Sequence, residues 1–136
     1  MYFDSSALLK RVLDEEHTKT LRGRIAELAG GPNELVTSTL AWVEVTRALK
    51  SWAERLGRNV ADFDAKALAG IEAYPISYEI VALARKIGPQ SLRSLDAIHC
   101  AAATIADAGL IVSYDARLLD AANMIGFATE SPGAAT

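Results

Sequence analysis

The chain has 136 residues, a single cysteine and a formal net charge of -3. Hydrophobic residues make up 51% of it, which excludes a disordered chain and lets one domain bury its own core. One cysteine excludes an internal disulfide, and the acidic balance argues against a protein that binds nucleic acid only through a basic surface.

No apolar stretch is long enough to span a membrane, and the N-terminus has no basic leader before an apolar run. We therefore expect a cytoplasmic protein without a membrane partner. A reducing compartment agrees with the lone Cys100, which lies in an apolar, alanine-rich run and is expected to be a small buried side chain.

Short apolar runs alternate with helical periodicities along the whole chain. In chain order, the sequence predicts a strand at 1–3, helices at 7–12 and 21–28, a strand at 35–38, helices at 39–56 and 60–68, a strand or extended turn at 73–76, helices at 78–86 and 94–108, a strand at 110–113, a helix at 117–124 and a last strand at 127–129. This alternation is typical of parallel strands with helices on both faces, an α/β fold. We predict one domain over residues 1–130 and a frayed tail at 131–136.

Two acidic residues follow predicted strands. Asp4 comes directly after the first strand, and Asp115 comes just after the strand at 110–113. Because ligands bind beyond the carboxyl ends of parallel strands, both side chains are expected at one edge of the sheet.

Two further acids lie on predicted helices. Glu44 has the small residues Ala41 and Ala48 at helical spacing beside it, and Asp96 lies in the most apolar helix. A buried carboxylate is costly unless it is paired or binds a metal ion.

Each acid also has an ordinary structural explanation. Asp4 and Asp96 are suited to capping helices, and Asp115 to a turn. Glu44 has Arg47 as an exposed partner, and Asp96 has Arg93. Only the joint pattern favours one acidic cluster.

Four clustered carboxylates would raise each other's pKa values, and hard divalent cations relieve that repulsion. Oxygen ligands alone suit Mg²⁺ or Mn²⁺, and metals held in this way assist attack on phosphorus. A phosphodiester is therefore the natural substrate.

Four segments in register carry a resemblance to a known family: FDSSALLK, TLAWVEVTRALK, SLRSLDAIHCAAA and IVSYDARL. With them the chain resembles PIN-domain nucleases, and among these the VapC-type toxins of toxin–antitoxin pairs. The resemblance implies a three-layer α/β/α fold with a central parallel sheet. It also implies a Mg²⁺- or Mn²⁺-dependent endoribonuclease that cuts cellular RNA, often tRNA or rRNA, and a homodimer inhibited by a small antitoxin.

The resemblance also implies roles for individual residues. It carries metal binding and catalysis onto Asp4, Glu44, Asp96 and Asp115. It makes Ser113 a hydrogen-bond partner of the acidic site, and Ser5, beside Asp4, is expected to support it. Some relatives carry a further acid after the fourth position, where this chain has Ala116 and Arg117, so we expect one tightly held metal.

Basic residues near the acidic segments are hypotheses for RNA binding: Lys10, Arg93 and Arg117. Each is also explained as a solvated helix charge. His99 would be a tempting general base, but its apolar helix favours a core histidine with satisfied hydrogen bonds.

Two other functions compete with the nuclease. A phosphoryl-accepting α/β domain shares the strand-end acids, but it usually has a lysine after a late strand, where this chain reads Ser113 to Arg117. An inactive relative that binds RNA or a partner is the other possibility, although all four acids are present.

Overall fold

The computed structural model describes residues 1–134, which fold as five short strands and seven helices. In chain order the elements are β1 (Tyr2–Phe3), α1 (Ser5–Lys10), α2 (Thr18–Ala29), β2 (Val36–Ser38), α3 (Thr39–Leu56), α4 (Val60–Leu68), β3 (Glu72–Tyr74), α5 (Tyr78–Ala84), α6 (Ser94–Ile105), β4 (Leu110–Val112), α7 (Ala116–Ile125) and β5 (Ala128–Glu130).

All the strands are parallel and lie in the order β3-β2-β1-β4-β5. The shortest strand, β1, is central: Tyr2 is in register with Val36 of β2 on one side and with Ile111 of β4 on the other. Because both edges of β1 are paired, two residues are enough to fix the strand. The residue that follows it, Asp4, is thereby held at the middle of the carboxyl edge.

Helices cover both faces of the sheet and form two hydrophobic clusters. Phe3 and Val112 pack in one cluster with residues of α1, α2, α3 and α4. Tyr2 and Ile111 pack in the other with residues of α5, α6 and α7. Successive strand residues point to opposite faces, so the arrangement has three layers. The predicted α/β/α fold is confirmed.

The small residues of α6 let this helix lie close to the sheet. Ala101, Ala102 and Ala103 are fully buried, as is Cys100. Burial raises the pKa of the Cys100 thiol to about 12, so the thiol is uncharged at neutral pH and acts as a core side chain.

The predicted elements are all present, with ends that move by a few residues. Gly57 ends α3 with a φ of 64°, a left-handed conformation that glycine adopts without a steric cost. The strand before Pro75 lies at the sheet edge, where a missing backbone donor is tolerated. Among the described residues, no helix is both long and apolar enough to cross a membrane.

The segment after β5 contacts the domain where it is described. Ser131 Oγ donates to the carbonyl of Ser113 over 2.6 Å, and the Tyr114 hydroxyl donates to the carbonyl of Pro132 over 2.7 Å. The predicted frayed tail covers residues 131–136, and of these residues 135 and 136 lie outside the described part of the chain.

Candidate active site

Four carboxylates from four elements line one cavity of about 300 Å³ at the carboxyl edge of the sheet. Two of them stand where a strand gives way to a helix, Asp4 before α1 and Asp115 before α7. The other two come from helices, Glu44 from α3 and Asp96 from the first turn of α6. The structure thus brings the four predicted acids together.

Asp4 is buried and surrounded by hydrogen-bond donors. Its Oδ1 accepts from the Ser6 hydroxyl over 2.7 Å and from the backbone N–H of Ala7 over 3.0 Å. Its Oδ2 accepts from the Ser113 hydroxyl over 2.7 Å. Burial raises the pKa of Asp4, and these three hydrogen bonds oppose the rise. Asp4 therefore caps α1 and lines the cavity at the same time.

Ser113 joins the two acids that follow strands. While its hydroxyl donates to Asp4, its Oγ accepts from the backbone N–H of Asp115 over 2.9 Å. Ser6 braces the same corner, because its Oγ accepts from the Tyr114 N–H over 2.9 Å. The β1 and β4 ends are thereby fixed relative to each other through side chains.

Asp96 lies among other negative charges. Burial is the main cause that raises its pKa, and the charges of Asp115 and Glu44 add to the rise. The charges of His99 and Arg93 lower the pKa of Asp96 and oppose this rise in part. Like charges that crowd one cavity are the arrangement that a bound cation relieves.

Glu44 is held by a histidine from the neighbouring helix. Its Oε1 lies 2.8 Å from Nε2 of His99, and the other ring nitrogen, Nδ1, lies 2.7 Å from the Tyr2 hydroxyl. The Tyr2 hydroxyl also lies 2.8 Å from Ser38 Oγ, within hydrogen-bond distance. His99 is 3% exposed, so it is a core histidine with both nitrogens occupied, as the sequence indicated. Arg47, the partner considered for Glu44, forms no ion pair with it among the described residues.

The donor set fits a hard divalent cation in its chemistry, because all four carboxylates offer oxygen ligands to one cavity. Within residues 1–134, however, no three acidic, histidine or cysteine side chains are grouped closely enough to hold a metal ion. The carboxylates would have to close around an ion when it binds.

The basic residues divide into two groups. Arg93 lines the acidic cavity and also an adjoining cavity of about 360 Å³, where Arg117 joins it. Lys10 lies elsewhere: its ammonium group is 4.8 Å from the centre of the Tyr114 ring and donates to the carbonyl of Glu16. Ser5 lines the acidic cavity as well.

Three residues of this site were not predicted from the sequence: Ser6, Tyr2 and Ser38. Ser6 stands beside Ser5 in the same capping segment, and the local pattern does not say which hydroxyl turns to Asp4. Tyr2 looks like an ordinary strand residue, although its position two residues before Asp4 is a hint. Ser38 is a polar residue at the end of a buried strand, which would have marked it as a candidate.

The family model of the PIN domain matches residues 1–124. The chain is 38% identical to ribonuclease VapC47 of Mycobacterium tuberculosis, with 98% of each protein covered. It is 34% identical to ribonuclease VapC46 of the same organism, with 97% of each covered.

Solved structures share the fold at low sequence identity. VapBC2 of Rickettsia felis, described as bound to a DNA fragment from its promoter, matches with a TM-score of 0.71 and 11% identity over 95% of this chain and 96% of that one. VapC20 of Mycobacterium tuberculosis, described as a sarcin-ricin loop cleaving toxin, matches with a TM-score of 0.69 and 16% identity over 96% of this chain and 98% of that one. Since the family model spans most of the sequence and the curated relatives align over nearly all of it, the chain belongs to the PIN-domain family.

Proposed function

We propose that the protein is a metal-dependent endoribonuclease, the toxin of a toxin–antitoxin pair. The observation that carries this proposal is the convergence of four carboxylates on one cavity at the carboxyl edge of the sheet. The names of the curated relatives, which are VapC ribonucleases, support RNA as the substrate.

The roles of the residues follow from their positions. Asp4, Glu44, Asp96 and Asp115 would hold Mg²⁺ or Mn²⁺, with Ser113 and Ser6 fixing the buried Asp4. A cation bound there supplies an activated water and stabilises charge on the phosphate under attack. The negative charges of Asp115 and Glu44 near Asp96 would favour a cation over a neutral ligand in this cavity.

The substrate path would start at the two arginines beside the acids. Arg93 and Arg117 line the cavity next to Asp96, and guanidinium groups bind phosphate oxygens in pairs of parallel hydrogen bonds. We propose that they hold RNA phosphates near the scissile bond. Lys10 is less suited to this role, because it is engaged by Tyr114 and Glu16.

The partners proposed are a small antitoxin that covers the cavity and a second copy of the chain. Solved structures with the same fold include a toxin–antitoxin complex from Klebsiella pneumoniae, with a TM-score of 0.64. Exposed apolar residues on α3, Trp42 and Val43, offer a surface for either contact. Light scattering of the purified chain should give the mass of a dimer.

The decisive experiment uses the purified full chain, free of any antitoxin, with total RNA in Mg²⁺ or Mn²⁺. Parallel samples contain a chelator, Asp4→Asn, Asp96→Asn, or the matched control Asp62→Asn on the exposed side of α4. We expect discrete cuts in the wild type and the control, and none in the chelator or in the two site variants.

Other outcomes have definite meanings. If folded wild type binds RNA but cuts no RNA pool in either metal, the inactive binding relative becomes the better description. Within residues 1–134, the lack of a close group of three ligands favours that alternative. Cutting that survives both site substitutions would mean that these carboxylates do not carry the activity.

A further inference from the structure

Within the described part of the chain, Glu44 is the one carboxylate of the four that forms a hydrogen bond with a buried histidine. It projects from α3, and its side chain is 28% exposed, so by itself it would turn freely between solvent and cavity. The Nε2 of His99 stands 2.8 Å from it and comes from α6, the helix that also carries Asp96. The contact therefore ties Glu44 to the helix that carries Asp96.

The histidine ring is itself fixed from behind. Tyr2 is fully buried, and its hydroxyl lies 2.7 Å from Nδ1 of His99. Burial raises the pKa of Tyr2, so its hydroxyl keeps its proton at neutral pH. Ser38 closes the chain of hydrogen bonds at the point where α3 begins.

Among the described residues, each ring nitrogen of His99 thus has one hydrogen-bond partner. An ionised carboxylate can only accept a hydrogen bond, so Nε2 must carry the hydrogen of the bond to Glu44. The Tyr2 contact at Nδ1 prevents the ring from rotating away. In metal sites, side chains behind the ligands commonly orient them in this manner.

We propose that His99, backed by Tyr2 and Ser38, is a positioning residue that aims the Glu44 carboxylate into the cavity for metal binding. This inference rests on the proposed function, because it takes Glu44 to be a metal ligand. It assigns no proton transfer to His99. By restricting the Glu44 side chain before a metal binds, His99 reduces the conformational entropy that is lost on binding.

The test measures Mn²⁺ binding to the full chain by calorimetry, without RNA, together with the melting temperature in a chelator. His99→Leu removes both hydrogen bonds. His99→Gln retains an N–H group that reaches the Nε2 position, and Tyr2→Phe removes only the hydroxyl behind the ring. Losing such a supporting contact weakens metal affinity by about 10-fold or more. We therefore expect His99→Leu to bind Mn²⁺ about 10-fold more weakly than the wild type. His99→Gln should recover most of the lost affinity, and Tyr2→Phe should lie between.

A double-mutant cycle separates positioning from general damage to the fold. In a Glu44→Ala background, His99→Leu should cause no further loss of Mn²⁺ affinity, because its effect passes through Glu44. Equal melting temperatures for His99→Leu and His99→Gln with unequal affinities would support the proposal. Wild-type affinity in His99→Leu, or a loss that His99→Gln does not relieve, would overturn it.

The result for the wild type distinguishes the two hypotheses. If the wild type binds Mn²⁺ and the His99 variants bind it equally well, only the positioning role fails. If the wild type binds no Mn²⁺, the metal-dependent function fails and the positioning role fails with it.

Discussion

At the scale of single residues, Asp4 shows that a helix-capping role and the proposed metal-binding role are compatible. As the N-cap of α1 it accepts the Ala7 N–H, and the same carboxylate faces the acidic cavity. The capping bond helps to keep a buried carboxylate ionised, since it favours the charged form. The structural explanation of Asp4 therefore does not compete with the functional one.

Ser113→Ala tests the link between the strand ends. The substitution leaves Asp4 Oδ2 and the Asp115 N–H without their buried partner. An unsatisfied buried group costs about 1–3 kcal/mol, so we expect the free energy of unfolding in urea to fall by that amount.

The control for Ser113→Ala is Ser51→Ala, at an exposed position of α3. Exposed substitutions usually change stability by less than about 0.5 kcal/mol. Equal stabilities for the two variants would show that the Ser113 hydroxyl bonds contribute nothing net.

At the scale of elements, α6 combines two roles that require different residue types, polar at the cavity and small and apolar against the sheet. One side presents Asp96 and His99 to the site, and the other packs a run of buried alanines on the sheet. Small residues bring the helix backbone close, so that its polar side chains reach residues of β1 and α3.

Enlarging one buried alanine tests this close packing. Ala102 is fully buried, and Ala102→Leu adds three carbons where the helix lies on the hydrophobic cluster. Overpacking of this kind costs about 1–3 kcal/mol. Thermal unfolding should therefore occur at a lower temperature. Mn²⁺ affinity should also fall, because α6 carries two of the site's residues.

The matched change is Ala48→Leu at an exposed position of α3. It adds the same atoms without a buried contact, and leucine is nearly as good a helix former as alanine. A melting temperature for Ala102→Leu as high as that of Ala48→Leu would contradict close packing of α6.

At the scale of the whole molecule, four of the seventeen acidic residues lie together at one edge of the sheet. The net charge is only -3, yet four carboxylates share one cavity. Burial is the main cause of the raised pKa of Asp96, and the charges of Asp115 and Glu44 add to it. Without a cation, the ionised Asp96 therefore raises the free energy of the folded state. Proteins commonly keep destabilising arrangements of this kind at active sites, because activity requires them.

Asp115→Asn tests this balance of stability against function. Asparagine can still cap α7, where Asp115 Oδ1 accepts the Arg117 N–H, but it removes one charge that acts on Asp96. In a chelator we expect the variant to be more stable than the wild type by roughly 0.2–1 kcal/mol. In Mn²⁺ the wild type should gain more in melting temperature, because only its site is complete.

Asp62→Asn is the control, because Asp62 is exposed on α4 and lines neither the acidic cavity nor the adjoining one. It should change neither the stability in chelator nor the gain from Mn²⁺. A clear loss of stability for Asp115→Asn in chelator would mean that the Asp115 charge stabilises the fold.

The sequence by itself determined the order and type of the elements, because hydrophobic periodicity and glycine or proline breaks are local properties. It also identified Asp4 and Asp115 as candidate site residues, since the position after a strand places both at one edge in any parallel sheet. The sequence did not determine where helices end, because the final turn of a helix depends on its packing: α6 ends at Ile105, three residues before the predicted end.

Only the tertiary structure decided which side chains meet. Ser6 rather than Ser5 bonds to Asp4, and His99 rather than Arg47 holds Glu44. Both choices depend on distances between elements that are far apart in the chain, such as the 55 residues between Glu44 and His99. No local pattern encodes such a distance, because it is set by how closely α3 and α6 pack around the sheet.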